Sequence, residues 1–182
     1  MRAPLKPHPQ SGDTAVTRLE AEARRIGEGG LLLRFVLEGR IDALLLPPAR
    51  PSLRTDELWK HSCFEAFVRE PGDEAYHEFN FSPSSEWAAY RFDGYRSGMR
   101  DADTIGAPQL ESRSDSGRYE MTVTLDLEAA LAAGLPWQLN LTAVIEERSG
   151  RKSHWALAHP TGAPDFHHPG CFALQLQPAT LP

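Results

Sequence analysis

Hydrophobic and polar residues alternate over many short stretches of this chain, and turn-forming residues separate the stretches. In 16–24, for example, one parity carries Thr17, Leu19, Ala21 and Ala23, and the other is mostly charged. Alternation with a period of two is typical of a strand that is buried on one face. By this criterion the sequence predicts strands over 16–24, 31–37, 41–46, 58–69, 75–82, 87–92, 110–113, 119–125, 137–147, 153–158 and 171–177.

Only one segment carries the sequence signals of a helix. Asp126 is a suitable N-cap for a helix over 127–133, which Gly134 and Pro136 would end. Many short strands and one short helix predict an all-β fold, an antiparallel immunoglobulin-like or jelly-roll β-sandwich with one short helix. Residues 1–13 are rich in proline and polar groups, so we expect them to form a flexible N-terminal tail, with 14–182 forming one domain.

The predicted strand over 58–69 has two unlike faces. Phe64, Ala66 and Val68 share a face that is typical of a hydrophobic core. The opposite face mixes aromatic, polar and acidic side chains, namely those of Trp59, His61, Cys63, Glu65 and Phe67. Aromatic rings beside hydrogen-bonding groups suit a sugar, because its C–H faces stack on rings while its hydroxyls meet polar side chains.

The aromatic-rich stretch 77–96 also divides by parity. Phe79 and Phe81 share one face, whereas Glu78 and Asn80 share the other. Assigning the next aromatic pair, Tyr90 and Phe92, to the core puts Arg91 on the outer face with Glu78. The predicted ligand-binding residues on this face and at its strand ends are Trp59, His61, Glu65, Glu78, Asn80, Trp87, Arg91, Tyr95 and Arg96. The alternative is a solvated sheet face with cross-strand ion pairs.

Composition narrows the functions that the chain can serve. Its 182 residues include 19 Lys and Arg against 25 Asp and Glu, a net charge of −6, and no basic run, so we expect no nucleic-acid partner. The two cysteines, Cys63 and Cys171, are expected to be reduced and partly buried. The N-terminal residues lack the apolar segment of a secretory signal, and the longest apolar runs are too short to span a bilayer. We therefore expect a cytoplasmic protein with no membrane partner.

Three segments carry a resemblance to a known family. They are "LWKHSCFEAFV", "HEFNFSPSSEWAAYRFDGYRSGM" and "HWALAHPTGAPDFHHPGCFALQL". Together they resemble the DOMON-like domain family, bacterial proteins that are related to the type 9 carbohydrate-binding modules. The resemblance extends over residues 14–177. It implies a β-sandwich that binds a sugar or haem.

The resemblance also implies where a ligand would bind. A site on one face or edge of the sandwich would be built from aromatic and polar side chains. Glu65 stands where the related modules typically have a glutamate, and Asn80 lies in a strand that precedes a turn. That turn contains glycine in the related modules and Ser85 here. The modules of type 9 enclose the sugar between two tryptophans, for which Trp59, Trp87 and Trp155 are the candidates.

Haem and divalent metals are the alternative ligands. Haem-binding relatives in this superfamily use a methionine and a histidine, and Met99 and Met121 are the only internal methionines. Imidazole and carboxylate groups crowd the C-terminal part of the sequence and could bind a metal. These metal-site candidates are His154, His159, Asp165, His167 and His168. They follow no fixed metal-binding spacing, so no cofactor is predicted.

The sequence gives little support to catalysis. Glu65 and Glu78 could be a glycosidase carboxylate pair, and Cys63 could face His61, but no catalytic motif surrounds either pair. We therefore predict a non-catalytic protein that binds a small polar ligand, most simply a carbohydrate. A further alternative is an interaction domain that forms a homodimer through exposed Trp59 and Tyr95.

Overall fold

Two sheets pack face to face in the computed structural model, which describes residues 1–179; the last three residues of the predicted domain, 180–182, lie outside the described part. The first sheet has five antiparallel strands in the order β1-β3-β4-β11-β10. These strands are β1 (Arg2–Pro4), β3 (Val16–Ile26), β4 (Gly30–Gly39), β10 (Gln109–Ser114) and β11 (Arg118–Asp126).

The second sheet is larger, and its main path runs in the order β2-β13-β12-β6-β7-β8-β5, with β14 paired to β12 and β9 paired to β8. Only the pairing of β5 with β8 is parallel among the described strands. Its strands are β2 (Lys6–Pro7), β5 (Leu53–Arg54), β6 (Cys63–Arg69), β7 (Tyr76–Phe81), β8 (Glu86–Phe92), β9 (Arg100–Asp101), β12 (Trp137–Glu146), β13 (Lys152–Ala156) and β14 (Leu174–Leu176). Short 3-10 helices occupy Pro9–Ser11, Ile41–Ala43, Leu58–Lys60 and Pro169–Cys171.

The main hydrophobic core lies between the two sheets. Alternate residues of each strand enter it, because successive side chains of a strand point to opposite faces. Phe35 on β4 lies 5.1 Å from Phe64 on β6, measured between ring centroids, and so joins the sheets directly. Ala66, Val68 and the β7 phenylalanines belong to the same core, as their parity predicted. The predicted antiparallel β-sandwich is confirmed.

Several local predictions were wrong. Of the predicted strand over 58–69 only Cys63–Arg69 is a strand, and of 171–177 only Leu174–Leu176 is. Residues 2–7 form β1 and β2 instead of a flexible tail; each strand extends one sheet, and Leu5 between them is buried. The segment 41–46 forms a 3-10 turn over Ile41–Ala43 and an isolated bridge from Leu44 to Glu147 instead of a strand. No helix forms over 127–133; a single turn closes through the bond from the Leu131 amide to the Leu127 carbonyl.

The large sheet is buried on both faces, which determines where the site lies. Its outer face carries a second hydrophobic cluster, with members on β6, β7, β8 and β12. Phe166 and Phe172, from the long segment after β13, complete this cluster, as does Leu58 from the 3-10 helix before β6. The segment after β13 therefore covers the face that the sequence analysis expected to be open. Within residues 1–179, no helix is both long and apolar enough to cross a membrane.

Candidate ligand-binding site

Two rows of side chains cross the outer face of the large sheet. In one row, Thr142 on β12 lies opposite Glu65 on β6, which lies opposite Asn80 on β7. The next row contains Phe67 and Glu78 on the same two strands. Cross-strand neighbours on one face are close enough to interact directly. The predicted grouping of Glu65, Glu78 and Asn80 on one face is therefore present in the structure.

A pocket of about 360 Å³ opens above these rows. The sheet forms its floor, and the 3-10 helix before β6, the loop after β8 and the segment after β13 contribute its walls. Apolar and aromatic side chains predominate among the residues that line it, with a small number of polar groups between them, as is typical of small-molecule sites. The lining residues are Trp59, Glu65, Glu78, Phe92, Arg96, Met99, Val144, His154, Pro164, Phe166 and His167.

Glu65 is a buried acid with one free oxygen. Its side chain lies at the pocket floor, and the residue is only 2% exposed. Thr142 Oγ1 donates a hydrogen bond of 3.0 Å to Glu65 Oε2, whereas no donor within residues 1–179 reaches Glu65 Oε1. Burial raises the pKa of Glu65 well above its usual value, and the charge of Glu78 raises it further. A buried acceptor without a partner costs stability, so Oε1 is available to a ligand donor.

Glu78 is buried in the neighbouring row. Asn80 Nδ2 donates to Glu78 Oε1 at 2.7 Å, and Asn80 Oδ1 in turn accepts from the Cys63 thiol at 3.4 Å. The second carboxyl oxygen, Glu78 Oε2, lies 3.7 Å from His167 Nε2. Burial raises the pKa of Glu78 to about 7, against the opposing effects of Asn80 and Arg96. Two adjacent acids with raised pKa values make the pocket floor sensitive to the charge of what it binds.

His167 belongs to the covering segment and fixes that segment to the sheet. Its Nδ1 lies 2.7 Å from the hydroxyl oxygen of Tyr76, which also accepts from the Arg96 backbone amide. This hydrogen bond joins His167 to β7, and the other ring nitrogen, Nε2, faces Glu78. Burial lowers the pKa of His167 to about 4, and Arg96 lowers it further, so the ring is neutral at physiological pH.

Arg96 and Asp165 join the two loops that form the pocket rim. The Arg96 guanidinium donates to Asp165 Oδ1 at 2.8 Å, and Tyr95 donates its hydroxyl proton to Asp165 Oδ2 at 2.5 Å. The backbone amide of His167 also donates to Asp165, at 3.2 Å. Arg96 adopts a left-handed backbone conformation with φ of 52°. A non-glycine residue in this region is held there by its surroundings.

Four of the predicted site residues line the pocket: Trp59, Glu65, Glu78 and Arg96. Two others act on lining residues, because Asn80 bonds to Glu78 and Tyr95 bonds to the Asp165 carboxylate that holds Arg96. Trp59 packs edge-on against Tyr90, with ring centroids 5.8 Å apart.

The structure separates three predicted residues from the pocket. The register pairs Arg91 with His77 and Tyr90 with Glu78, so Arg91 lies on the opposite face from Glu78. Trp87 lies on that opposite face too, in the main core. The parity assignment failed because both faces of β8 are buried and apolar, and Tyr90 and Phe92 belong to the outer cluster. His61 lies apart on the surface, where its Nδ1 contacts Glu146 at 2.8 Å.

Several lining residues were not predicted as site residues. Phe92 was assigned to the wrong face of its strand. Three other lining residues, Phe166, Val144 and Pro164, were not predicted, because an apolar residue in a sequence indicates core packing more often than a binding site. Met99, which the sequence analysis considered only as a haem ligand, also lines the pocket. The buried Asn140 Oδ1, which has no partner in the described part of the chain, was not predicted. The clustering of histidine, proline and phenylalanine in 154–168 was the one signal that marked the covering segment.

The metal-site candidates are distributed over different contacts. His154 and His167 line the pocket, whereas His159 contacts the Lys6 carbonyl and His168 accepts from the Gly170 amide. Asp165 is committed to the rim contacts. In the described part of the chain, no group of three or more His, Cys, Asp and Glu side chains is arranged to hold a metal ion.

The tryptophan pair that the resemblance implied does not form at this pocket. Trp59 lines it, but Trp87 and Trp155 are both buried in the main core. A single indole therefore faces the ligand space, beside the rings of Phe92 and Phe166.

Comparison with known proteins supports the fold at low sequence identity. A proposed carbohydrate-binding protein from Bacteroides uniformis is 13% identical and aligns with a TM-score of 0.68 over 94% of this chain and 83% of that chain. A type 9 carbohydrate-binding module from Caldicellulosiruptor kristjanssonii, in complex with glucose, is 14% identical and aligns with a TM-score of 0.51 over 84% of this chain and 72% of that one. No protein-family model matches the sequence, and no curated protein does. The chain therefore has a carbohydrate-binding-module-like β-sandwich fold.

Proposed function

We propose that this protein binds a small carbohydrate in the pocket above Glu65 and Glu78. The observation that carries the proposal is Glu65 Oε1, a buried carboxyl oxygen at the pocket floor that has no donor within residues 1–179. A sugar hydroxyl would supply the missing donor. Binding would then relieve the cost of the buried acceptor, which gives the ligand part of its affinity.

The side chains in the pocket walls favour binding of a sugar over binding of a fully polar ligand. Trp59, Phe92 and Phe166 present aromatic surface around the two acids. The C–H face of a pyranose packs on such rings, while its hydroxyls point to the carboxyl groups. The likeness of the fold to a glucose-binding module adds support to the same proposal. We also propose that the chain belongs to the DOMON-like family, because three of its segments resemble the motifs of that family.

We infer that the site binds without catalysis. Burial raises the pKa of Cys63 well above its usual value, so its thiol stays protonated at neutral pH. Its sulfur contacts Asn80, whereas His61 contacts Glu146, and these separate contacts argue against a Cys–His dyad. Glu65 accepts a hydrogen bond from Thr142 and Glu78 accepts one from Asn80, contacts that give each acid a structural role in the floor of the pocket.

Calorimetric titration of the purified protein with glucose and other mono- and disaccharides tests the proposal. We expect saturable binding by at least one sugar, and Trp59→Ala should weaken it by about tenfold, equivalent to about 1.4 kcal/mol. The matched control is Leu53→Ala, because Leu53 is 62% exposed on β5 and does not line the pocket. It should bind like the parent. A folded protein that binds none of the sugars would refute the proposal.

Haem is the second candidate ligand, and one observation favours it. Met99 lines the same pocket as His154 and His167, so both residue types used by haem-binding relatives are present. Burial lowers the pKa of His154 as well as that of His167, and a neutral imidazole is the form that binds a metal. The two buried acids beneath the pocket favour a hydroxyl-rich ligand instead. Titration with haem, followed by visible absorption, separates the two: a new Soret band that Met99→Leu abolishes would support haem.

A further inference from the structure

The charges around the pocket are unbalanced. Glu65 and Glu78 lie at its floor, and of the side chains that line it in the described part of the chain, Arg96 is the only one with a permanent positive charge. The Arg96 guanidinium is already bonded to the Asp165 carboxylate. The two lining histidines, His154 and His167, are partly buried, and this burial lowers the pKa of each, so neither ring carries a charge at neutral pH. In the described part of the chain, no Lys or Arg side chain therefore forms an ion pair with either acid, although the charge of Arg96 acts on Glu78 from a distance.

The walls of the pocket suit a cationic group. The rings of Trp59, Phe92 and Phe166 all line the same cavity. The faces of aromatic rings carry a negative partial charge and attract ammonium groups, with tryptophan the strongest of the three. A desolvated ammonium among such rings and beside carboxyl groups gains from both interactions. A neutral sugar gains only van der Waals and apolar contact from the same rings.

We propose that the carbohydrate is an amino sugar, whose ammonium group binds at Glu65 Oε1 and Glu78 Oε2. The inference rests on the proposed function and names the substrate class of the same site. Both oxygens can accept from it: no donor in the described chain reaches Glu65 Oε1, and Glu78 Oε2 lies 3.7 Å from His167 Nε2, beyond hydrogen-bond distance. An ammonium has three N–H donors, enough to serve both oxygens at once. A hydroxyl has a single donor and serves only one.

Proton balance follows from the raised pKa values of the two acids. With a pKa of about 7, Glu78 is largely protonated in the free protein at slightly acid pH. The pKa of Glu65 is raised well above its usual value, so Glu65 holds a proton too. When the ammonium binds, it favours the ionised forms of both carboxyl groups, and the protons that they lose pass to solvent. The ammonium keeps its own proton. No bond to carbon forms or breaks, so binding of the amino sugar is coupled to proton release alone.

Calorimetry with three sugars of one skeleton tests the inference. Glucosamine carries the ammonium, glucose has a hydroxyl in its place, and N-acetylglucosamine is larger but uncharged. At about pH 6.5, where an amine of this kind is protonated, we expect glucosamine to bind at least tenfold more tightly than the other two. Repeating each titration in two buffers of different ionisation enthalpy measures the proton released. We expect more protons released with glucosamine than with glucose.

Charge-removing variants locate the effect. Glu78→Gln and, separately, Glu65→Gln should each reduce the preference for glucosamine by about tenfold and lower proton release, while thermal unfolding confirms that each variant is folded. Two variants are used so that one remains informative where the other fails to fold. Glu111→Gln is the matched control, because Glu111 is exposed on β10 in the other sheet. It should retain the full preference.

The outcomes distinguish this inference from the function on which it rests. Glucose binding equal to or tighter than glucosamine binding would overturn the amino-sugar inference and leave carbohydrate binding intact. A glucosamine preference that survives both Glu→Gln variants would also overturn it. Binding of no sugar by the folded parent would overturn both.

Discussion

Glu65 and Glu78 lie in adjacent rows of one sheet face and open into a single pocket, each on its own strand. Burial raises the pKa of Glu65 well above its usual value, and Glu78 adds to that rise; burial raises the pKa of Glu78 to about 7. Because both pKa values are raised, ionisation of either acid lowers the stability of the folded protein. A ligand that bonds to the ionised carboxyl groups would offset this cost and so stabilise the folded protein.

Glu78→Gln should change how stability depends on pH. Because the folded pKa of Glu78 exceeds the unfolded value, its contribution is fully present below about pH 4.5 and is lost as pH rises through about 7. The loss integrates to about 3 kcal/mol, since each pKa unit is worth about 1.4 kcal/mol. The variant, which cannot ionise here, should therefore gain stability relative to the parent as pH rises from 5 to 8. Urea unfolding at several pH values measures this difference.

Other groups near Glu78 also affect how stability depends on pH, so the variant is compared with the parent at each pH. The pKa of His167 is lowered to about 4, so its contribution to stability is present above about 6.5 and is lost as pH falls through 4. Glu65 and Arg96 face the same pocket and remain in both proteins. Comparing variant with parent at each pH cancels the effects of groups that Glu78 does not perturb. The variant also removes the charge that raises the pKa of Glu65, which adds to the expected gain in stability. A stability difference that is constant from pH 5 to 8 would contradict the buried, proton-holding state of Glu78.

Asp165→Asn should loosen the pocket rim while leaving the sandwich intact. The substitution weakens three contacts, from Arg96, Tyr95 and the His167 amide. Because Arg96 is half exposed, its ion pair contributes well under about 1 kcal/mol to global stability. We expect hydrogen exchange to quicken at the amides of 94–98 and 165–168 but not on β4. Asp103→Asn, at the exposed pair with Arg54, is the control and should leave the rim unchanged.

Arg91→Ala should leave sugar binding unchanged. The register places Arg91 on the face opposite to Glu78, beside His77, at 3.5 Å between Arg91 Nη1 and His77 Nε2. Removing its guanidinium therefore removes no group from the pocket. Titration with the best-bound sugar should give the parent affinity within about twofold. A tenfold loss, with folding unaffected, would restore Arg91 to the binding face and contradict the assigned register.

Ser85→Gly should stabilise the turn between β7 and β8. Ser85 has φ of 72°, in the left-handed region, where a side chain costs roughly 1–2 kcal/mol relative to glycine. The greater entropy of glycine in the unfolded chain offsets part of that gain, so we expect a net increase of about 0.5 kcal/mol in the free energy of unfolding. Ser116→Gly is the matched control at an exposed turn residue and should not stabilise. An equal change in the free energy of unfolding for both variants would show that backbone strain at Ser85 is not the cause.

The sequence predicted much of the fold because most strands alternate clearly. The pairing of 110–113 with 119–125 is realised as β10 and β11, with Leu110 opposite Val123. The helix over 127–133 failed although its cap is present, with Asp126 Oδ1 accepting from the Glu128 amide. A capped segment of seven residues, about two turns, has too few hydrogen bonds to persist as a helix without packing on several faces.

The site was predictable only in part. Parity placed Glu65, Glu78 and Asn80 together, because all three lie on strands with one clearly apolar face. It failed on β8, where Tyr90 and Phe92 are as apolar as the main-core residues but face outwards. The cover formed by Phe166 and His167 depends on contacts between distant segments, such as that of His167 with Tyr76, 91 residues apart. No local pattern encodes a contact of that kind.

The central claim is that a carbohydrate binds beside Trp59, above Glu65 and Glu78. Of the four tryptophans, Trp59 lines the pocket, whereas Trp87, Trp137 and Trp155 belong to the main core. The four indole N–H signals in a ¹H–¹⁵N NMR spectrum of the protein report on these positions separately. Titration with glucosamine or glucose should shift the Trp59 signal in a saturable way and leave the Trp137 signal in place. No shift of Trp59 at saturating sugar, or shifts confined to the core tryptophans, would contradict the account.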